Sequence, residues 1–437
     1  MKRKDNVFDS VQLSRPDSNT FDLSHEKKLT MSMGKLYPVQ VMETLPGDKI
    51  NLEFINLLRF MPLAAPVMQK FRVQTDYFFV PNRILWAGWE DFITGTSADL
   101  APFIEMEENL DTGSLGDYLG IPPVDYNLST SALKVSALQT AAYFKIYDDW
   151  YRDQNLINEK FVPLVAGNNS SAYYQLTRQD PLRKAWRHDY FTSALPTAQQ
   201  GSDVELSTGT GIVKLRQPAD GDEAGLIKDA DNYNALSGDL TSLGGVLNTG
   251  ADTGGSVYDP NGTLEVSTTS GTLNNFRQAI ALQGFLERSI RGGIRYVEQL
   301  MSHFGVRSSD ARLQRPEHIG HFVQNMTISE VLATAQSNND GVTAEISVGS
   351  MAGHGVSVGG DRFTYYAEEH GFIFGIMSVI PDSGYQDGLA KQFSRFDRLD
   401  YAFPEFAGLG EQPILLKELQ AEVDNTVNRE SVFGYIP

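Results

Sequence analysis

Candidate reactive side chains fall mostly in the last third of the chain. Gly355-Val-Ser-Val-Gly359 has the G-x-S-x-G spacing that exposes a nucleophilic serine on a sharp strand-to-helix turn. Here Gly360-Asp361 and an aromatic strand pattern follow instead of a helix, so the spacing predicts a glycine-rich loop between strands. His318 and His321, just after Pro316, could share a metal ion if they lay on one helical face. No H-E-x-x-H accompanies them, and no third ligand is evident nearby. Glu368, Glu369 and His370, or Asp397 with Asp400, offer the carboxylates of glycoside hydrolysis. Neighbouring residues on a strand face opposite ways, so Glu368 and Glu369 do not converge on one substrate. Turn and ion-pair roles account for these acids better.

Basic residues form two groups. Arg288, Arg291 and Arg295 fall on one side of a helical pattern, with Arg307, Arg312 and Arg315 after them; Lys2, Arg3 and Lys4 form a basic tip. Phosphate contact and pairing with an acidic neighbouring subunit both suit them. The segment from Phe393 to Pro404 interleaves Arg395 and Arg398 with aromatics, a pattern shared by base-stacking surfaces and by well-packed loops.

The local patterns around these residues are mainly those of strands. Phe71, Val73, Thr75, Tyr77 and Phe79 alternate with Arg72, Gln74, Asp76 and Phe78, and Pro81-Asn82 ends the run. Ile50, Leu52 and Phe54 alternate after a turn at Pro46-Gly47-Asp48. Phe372 to Val379 is apolar on both faces, which predicts a central strand covered on both sides. Asp340-Gly341 predicts a hairpin into Val342–Val348. Trp86, Trp89 and Phe92 suit a short helix. A longer helix is predicted from about Ser131 to Asp153, capped by Ser129 or Ser131, with Ala137, Ala141, Phe144 and Tyr151 near one face. Another spans about Leu273 to Phe304, weakened at Gly292-Gly293.

Composition bounds the function. The chain has 437 residues, 41% of them apolar, with 24 Phe and 18 Tyr, enough for a large core. Its formal net charge of −19 argues against a protein whose main task is to coat nucleic acid. It has no cysteine, which excludes disulfides, thiolate catalysis and cysteine metal sites and suits a reducing cytosol. The N-terminus carries no secretory pattern, and the longest apolar run, Gly371 to Ile380, is too short to span a bilayer. Residues 1–28 read as an extended arm that orders against a partner. Residues 199–272 are rich in Gly, Asp, Ser and Thr with only Tyr233 and Tyr258 as aromatics, and read as a surface insertion with short hairpins, for example at Asn261-Gly262. Charge, aromatics and long loops without a convergent catalytic set point to a shell or interaction protein.

Several stretches, in order along the chain, then carry a resemblance. They are Asn19–Thr30 (NTFDLSHEKKLT), Gly34–Pro38 (GKLYP), Leu45–Asp48 (LPGD), Phe78–Arg83 (FFVPNR), Trp86–Gly95 (WAGWEDFITG), Glu369–Gly375 (EHGFIFG) and Asp397–Gln412, which ends in PEFAGLGEQ. Together they resemble the major capsid proteins of the Microviridae, small single-stranded DNA bacteriophages, on the gokushovirus-like side. The resemblance implies a mainly β chain: a single eight-stranded antiparallel jelly roll over residues 29–437, with large inserted loops and a few helices. It implies a T=1 icosahedral capsid around circular single-stranded DNA, found in the virion and assembled in the bacterial cytoplasm. It implies as partners further copies of the chain, a small basic DNA-binding protein, an internal scaffolding protein and a pilot protein. From the residues themselves no cofactor, metal, catalytic residue or membrane partner is expected. Residues 199–272 carry no match and are expected to be a variable protrusion facing the host. The family is expected to continue beyond the segment matching Phe433–Pro437, which would leave the jelly roll incomplete at its C-terminal end. Two other classes fit less well: a receptor-binding or spike protein using the insertion, and a β-sandwich carbohydrate-active enzyme using the carboxylates above.

Overall fold

A computed structural model describes residues 19–61, 69–128, 132–199, 201, 273–293, 296–305, 314–332, 351–406, 410–422 and 428–436, with short strands between 212 and 267. The Val342–Val348 hairpin, the Asn261-Gly262 turn, the Ser129 and Ser131 caps, the basic tip, Arg295, Arg307 and Arg312 lie outside the described residues. The chain divides into two compact units. The first comprises Met1–Asp153, Asn158–Trp186 and Gln314–Ser383; the second comprises Gln154–Ile157, Arg187–Leu313 and Gly384–Pro437.

The first unit is built on β1 (Tyr37–Thr44), β2 (Lys49–Arg59), β3 (Phe71–Pro81), β4 (Glu317–Leu332), β5 (Met351–Tyr366) and β6 (Gly371–Pro381). They pair antiparallel in the order β1-β6-β3-β4-β5-β2. The doubly apolar run of β6 does take a central place, between β1 and β3, and is buried from Gly371 to Val379. β4 pairs with β3 from Glu317 to Met326 and then with β5 from Thr327 to Leu332. A strand that changes partner along its length turns a corner between two layers. Ring contacts agree: Phe54 of β2 lies 5.2 Å and Phe363 of β5 4.9 Å from Tyr77 of β3, and Phe60 lies 5.2 Å from Phe71. In a flat sheet β2 would lie too far from β3 for such contacts, so β2 and β5 fold back over it.

Alternation along β3 then decides what each layer covers. Phe71, Val73, Tyr77 and Phe79 face the β2–β5 layer, whereas Phe78 and Val80 face a helical layer. That layer includes α1 (Leu138–Ile146) and α2 (Ser170–Arg178), whose Tyr143, Phe144 and Tyr173 are fully buried with Phe374 and Leu36. The turn Leu45–Asp48 is closed by the Asp48 carboxylate on the Leu45 N–H, with Gly47 at φ 93°. It links strands at opposite edges of the sheet order and is therefore no hairpin.

Two expectations are corrected. The helix expected from Ser131 begins only at Leu138, because Leu133–Ser136 is a strand paired with Phe103–Met106. The helix then widens into a π-turn at Tyr147–Tyr151. The glycine-rich loop around Ser357 is instead the middle of β5, continuous from Met351 to Tyr366. Glycines there serve close packing: a Cβ on Gly360 would meet the Phe54 carbonyl at 2.4 Å, and one on Gly355 the Phe60 ring at 2.7 Å.

In the second unit, α3 (Leu273–Gly292) and α4 (Tyr296–Phe304) form a hairpin broken where the glycine pair predicts, with Gly293 at φ 90°. Ser289 Oγ lies 3.1 Å from His303 Nε2, and Phe285 stacks on His303. Gln412–Leu415 pairs with Val432–Ile436. Within 199–272 the described residues form three two-stranded pieces: Ile212–Lys214 with Glu265–Ser267, Lys228–Asp229 with Val257–Tyr258, and Leu240–Leu243 with Val246–Thr249. The chain is mainly β with antiparallel sheets and few helices, and among the described residues the main sheet has six strands and does not close into a barrel.

Candidate functional site

Polar side chains converge most tightly where β3 meets the start of β4. Asp76 is buried, and its Oδ1 lies 2.5 Å from His321 Nδ1 and 3.6 Å from His318 Nε2. Its Oδ2 accepts from Tyr151 Oη at 2.6 Å and Gln74 Nε2 at 2.7 Å. The histidines share a strand, not the helix that a shared ligand set required. Burial alone would raise the Asp76 pKa, but the nearby His318 imidazole, hydrogen bonds from Tyr151 and His321 and the charge of Lys184 outweigh it and lower the value to about 2. Burial and the adjacent Asp76 charge push the Tyr151 phenol well above its ordinary range.

A carboxylate whose pKa is depressed on folding contributes stability above its unfolded value near 3.8, and that contribution disappears as pH falls towards 2. The shift corresponds to about 2 kcal/mol. Denaturant unfolding at pH 5 and at pH 2 should therefore show a pH-dependent loss about 2 kcal/mol smaller in Asp76→Asn than in the parent; equal losses would contradict it.

The other predicted site residues do not assemble into a catalytic set. Glu369 forms an ion pair with Arg83, Nε to Oε2 at 2.7 Å. Asp397 and Asp400 close a single 3₁₀ turn: Asp400 accepts from the Phe396 and Asp397 N–H groups, and Asp397 caps Arg398. Ser357 Oγ points to the Asn325 carbonyl at 3.4 Å. Arg395 and Arg398 lie over the rings of Tyr401 and Phe403. Of the basic group, Arg291 is engaged by Glu287 at 3.5 Å and by Glu411, so its charge is already offset; Arg288 is exposed on α3. Arg315 stacks over Trp150. Lys2, Arg3, Lys4 and Arg295 lie outside the described residues.

Apolar surface is the larger feature. Ile55, Leu57, Val356 and Val358 are exposed on the outer face of the β2–β5 layer. Phe276, Ile280, Phe285, Met301 and Phe304 are exposed on the α3–α4 hairpin, and Phe393, Phe396, Leu399 and Tyr401 on the loop after β6. Exposed apolar surface on this scale marks sites of association. Sequence periodicity missed it, because an outward valine on a strand reads the same whether solvent or another subunit covers it.

The family described as "Capsid protein (F protein)" matches residues 9–436. The chain belongs to this capsid protein family. It is 37% identical over 436 residues to capsid protein VP1 of Bdellovibrio phage phiMH2K, covering 95% of this chain and 78% of that protein. It is 32% identical over 509 residues to capsid protein VP1 of Chlamydia phage 1, covering 98% and 83%. It is 28% identical over 445 residues to capsid protein VP1 of Spiroplasma virus 4, covering 94% and 78%. As a phage capsid protein, the chain is a structural component of the virion, and its outward-facing aromatics suit a subunit that buries surface against others. Among the described residues, no helix is long and apolar enough to cross a membrane.

Proposed function

We propose that this capsid protein is the shell-forming subunit of a T=1 icosahedral particle enclosing circular single-stranded DNA, and that it works by self-assembly, without catalysis. Family membership over residues 9–436 carries the reading, and the exposed apolar surfaces supply its physical means. The two-layer β arrangement of the first unit, with β4 turning the corner, supports a jelly-roll body over residues 29–437. In this reading residues 1–28 are an arm reaching a neighbouring subunit or the inner wall, and residues 199–272 are a surface protrusion facing the host. A net charge of −19 leaves neutralisation of the genome to a separate small basic protein. An internal scaffolding protein and a pilot protein complete the partners. Arg288, Arg291 and Arg295, with Lys2, Arg3 and Lys4, are in this reading contacts to DNA or to a neighbouring subunit, Arg291 also serving ion pairs within its own chain.

Co-expression with the scaffolding protein, followed by electron microscopy and sedimentation, tests this. Closed isometric shells of one size are expected. Persistent monomers under those conditions, or incorporation into particles only at low copy number, would remove the shell assignment and favour a spike.

A further inference from the structure

We infer that Asp76, His318 and His321 form a binding site for one transition-metal ion, best suited to Zn2+, that fastens β4 to β3 at the start of the corner strand. Among the described residues they form the one group of three ligand-type side chains whose donor atoms all lie within 4.8 Å of one another. Strand geometry explains why this grouping is unusual. Residues three apart on a regular strand point to opposite faces. Here the register slips between His318 and Gly320: His318 pairs with Phe78, Gly320 with Tyr77 and His321 with Asp76. This bulge inserts Ile319 as an extra residue. Ile319 packs with Tyr77 and Phe79, and a Cβ on Gly320 would meet the Phe363 ring of that same core. Both intervening residues therefore turn to one face, and both histidines turn to the other, where Asp76 lies.

The supporting shell is in place. Tyr151 and Gln74 hold Asp76 Oδ2, which leaves Oδ1 directed at the imidazoles. The His318 ring is held beside Phe78 at 5.2 Å and Trp150 at 5.4 Å. Ligating groups fixed by such outer partners are a hallmark of metal centres. Metal–ligand bonds of about 2.0–2.1 Å in a tetrahedron place donor atoms roughly 3.4 Å apart. The His318–Asp76 separation of 3.6 Å is already near this, and the His321–Asp76 separation of 2.5 Å needs only a small ring rotation. Asp76 is 5% exposed, whereas His318 and His321 are 31% and 47% exposed, so solvent can reach the fourth position. Two imidazoles and one carboxylate favour Zn2+, Ni2+ or Cu2+ over Mg2+ or Ca2+.

Isothermal titration of the chelator-treated full chain with ZnCl2 tests the inference. One ion per chain is expected, with at least tenfold weaker binding in His318→Ala and His321→Ala and about 10–100-fold weaker binding in Tyr151→Phe. Mg2+ should give no heat at the same concentrations. Absence of Zn2+ uptake, or unchanged uptake in the double histidine variant, would overturn it. Electron paramagnetic resonance of the unmodified protein with one equivalent of Cu2+ gives a second reading that needs no variant. Coupling to two imidazole nitrogens is expected, and a signal without nitrogen coupling would also overturn the site.

Discussion

Phe374→Ala is expected to lower the unfolding temperature of the subunit by about 10 °C and to abolish recovery of shells. Phe374 lies on the central strand β6 and is fully buried. Its register partners are Phe78 on β3 and Val41 on β1, and it shares a core with Tyr143, Phe144 and Leu36. Removing a phenyl ring there loses its transfer energy and leaves a cavity that two paired strands cannot close, a cost of about 3–5 kcal/mol. Domains are stable by only about 5–15 kcal/mol, and in a unit of this size each kcal/mol moves the midpoint by about 2–4 °C. Circular dichroism on heating measures the shift. The contrast is Phe396→Ala: that ring is 88% exposed, and its loss should change subunit stability by less than about 0.5 kcal/mol. Equal effects of the two substitutions would contradict the assignment of β6 to the core.

What could be read from sequence depended on how local its cause is. The alternation from Phe71 to Phe79 and the doubly apolar run of β6 report burial residue by residue, so both strands and the central place of β6 were predictable. The break between α3 and α4 followed from the backbone freedom of Gly292-Gly293. The Ser131 helix failed because Leu133–Ser136 pairs with Phe103–Met106, a partner about thirty residues away that outweighs local capping signals. The path of β4 between layers has no local signature either. Aromatic alternation does not reveal which strand it pairs with, or where the pairing changes. The ligand group at Asp76 needed both a contact across more than two hundred residues and a bulge at Ile319. A search for helical i, i+3 spacing finds the histidines and then misjudges how they come together. The carboxylates failed as a catalytic set for the opposite reason: Asp397 and Asp400 satisfy one short turn of their own, a purely local role.

Deletion of residues 1–26 is expected to leave the subunit as stable as the parent, within about 1 kcal/mol, and to reduce closed shells at least tenfold. Among the described residues, the first long-range hydrogen bonds to the body come at Lys27, whose Nζ donates to the Pro38 and Tyr118 carbonyls at 2.9 and 2.6 Å. Tyr118 Oη then donates to the Thr30 carbonyl at 2.7 Å, and the Ser32 N–H to Tyr37 Oη at 2.8 Å. Residues 19–26 run exposed ahead of that anchor, with Phe21 at 76% and Leu23 at 67% exposure. Their polar contacts among the described residues are short-range ones among Asp22, Ser24, Leu23, His25, Glu26 and Lys28. Such a segment adds little to the stability of its own subunit. Burying Phe21 and Leu23 against a neighbouring copy would contribute roughly 1.5–3 kcal/mol for each side chain, and every 1.4 kcal/mol is tenfold in an association constant. Because each subunit of a closed shell makes the same contact, the deficit repeats around the particle and falls on assembly alone. Sedimentation velocity separates the two effects: intact monomers with few shells are the expected result, whereas shells at parental yield would remove the arm from the interface.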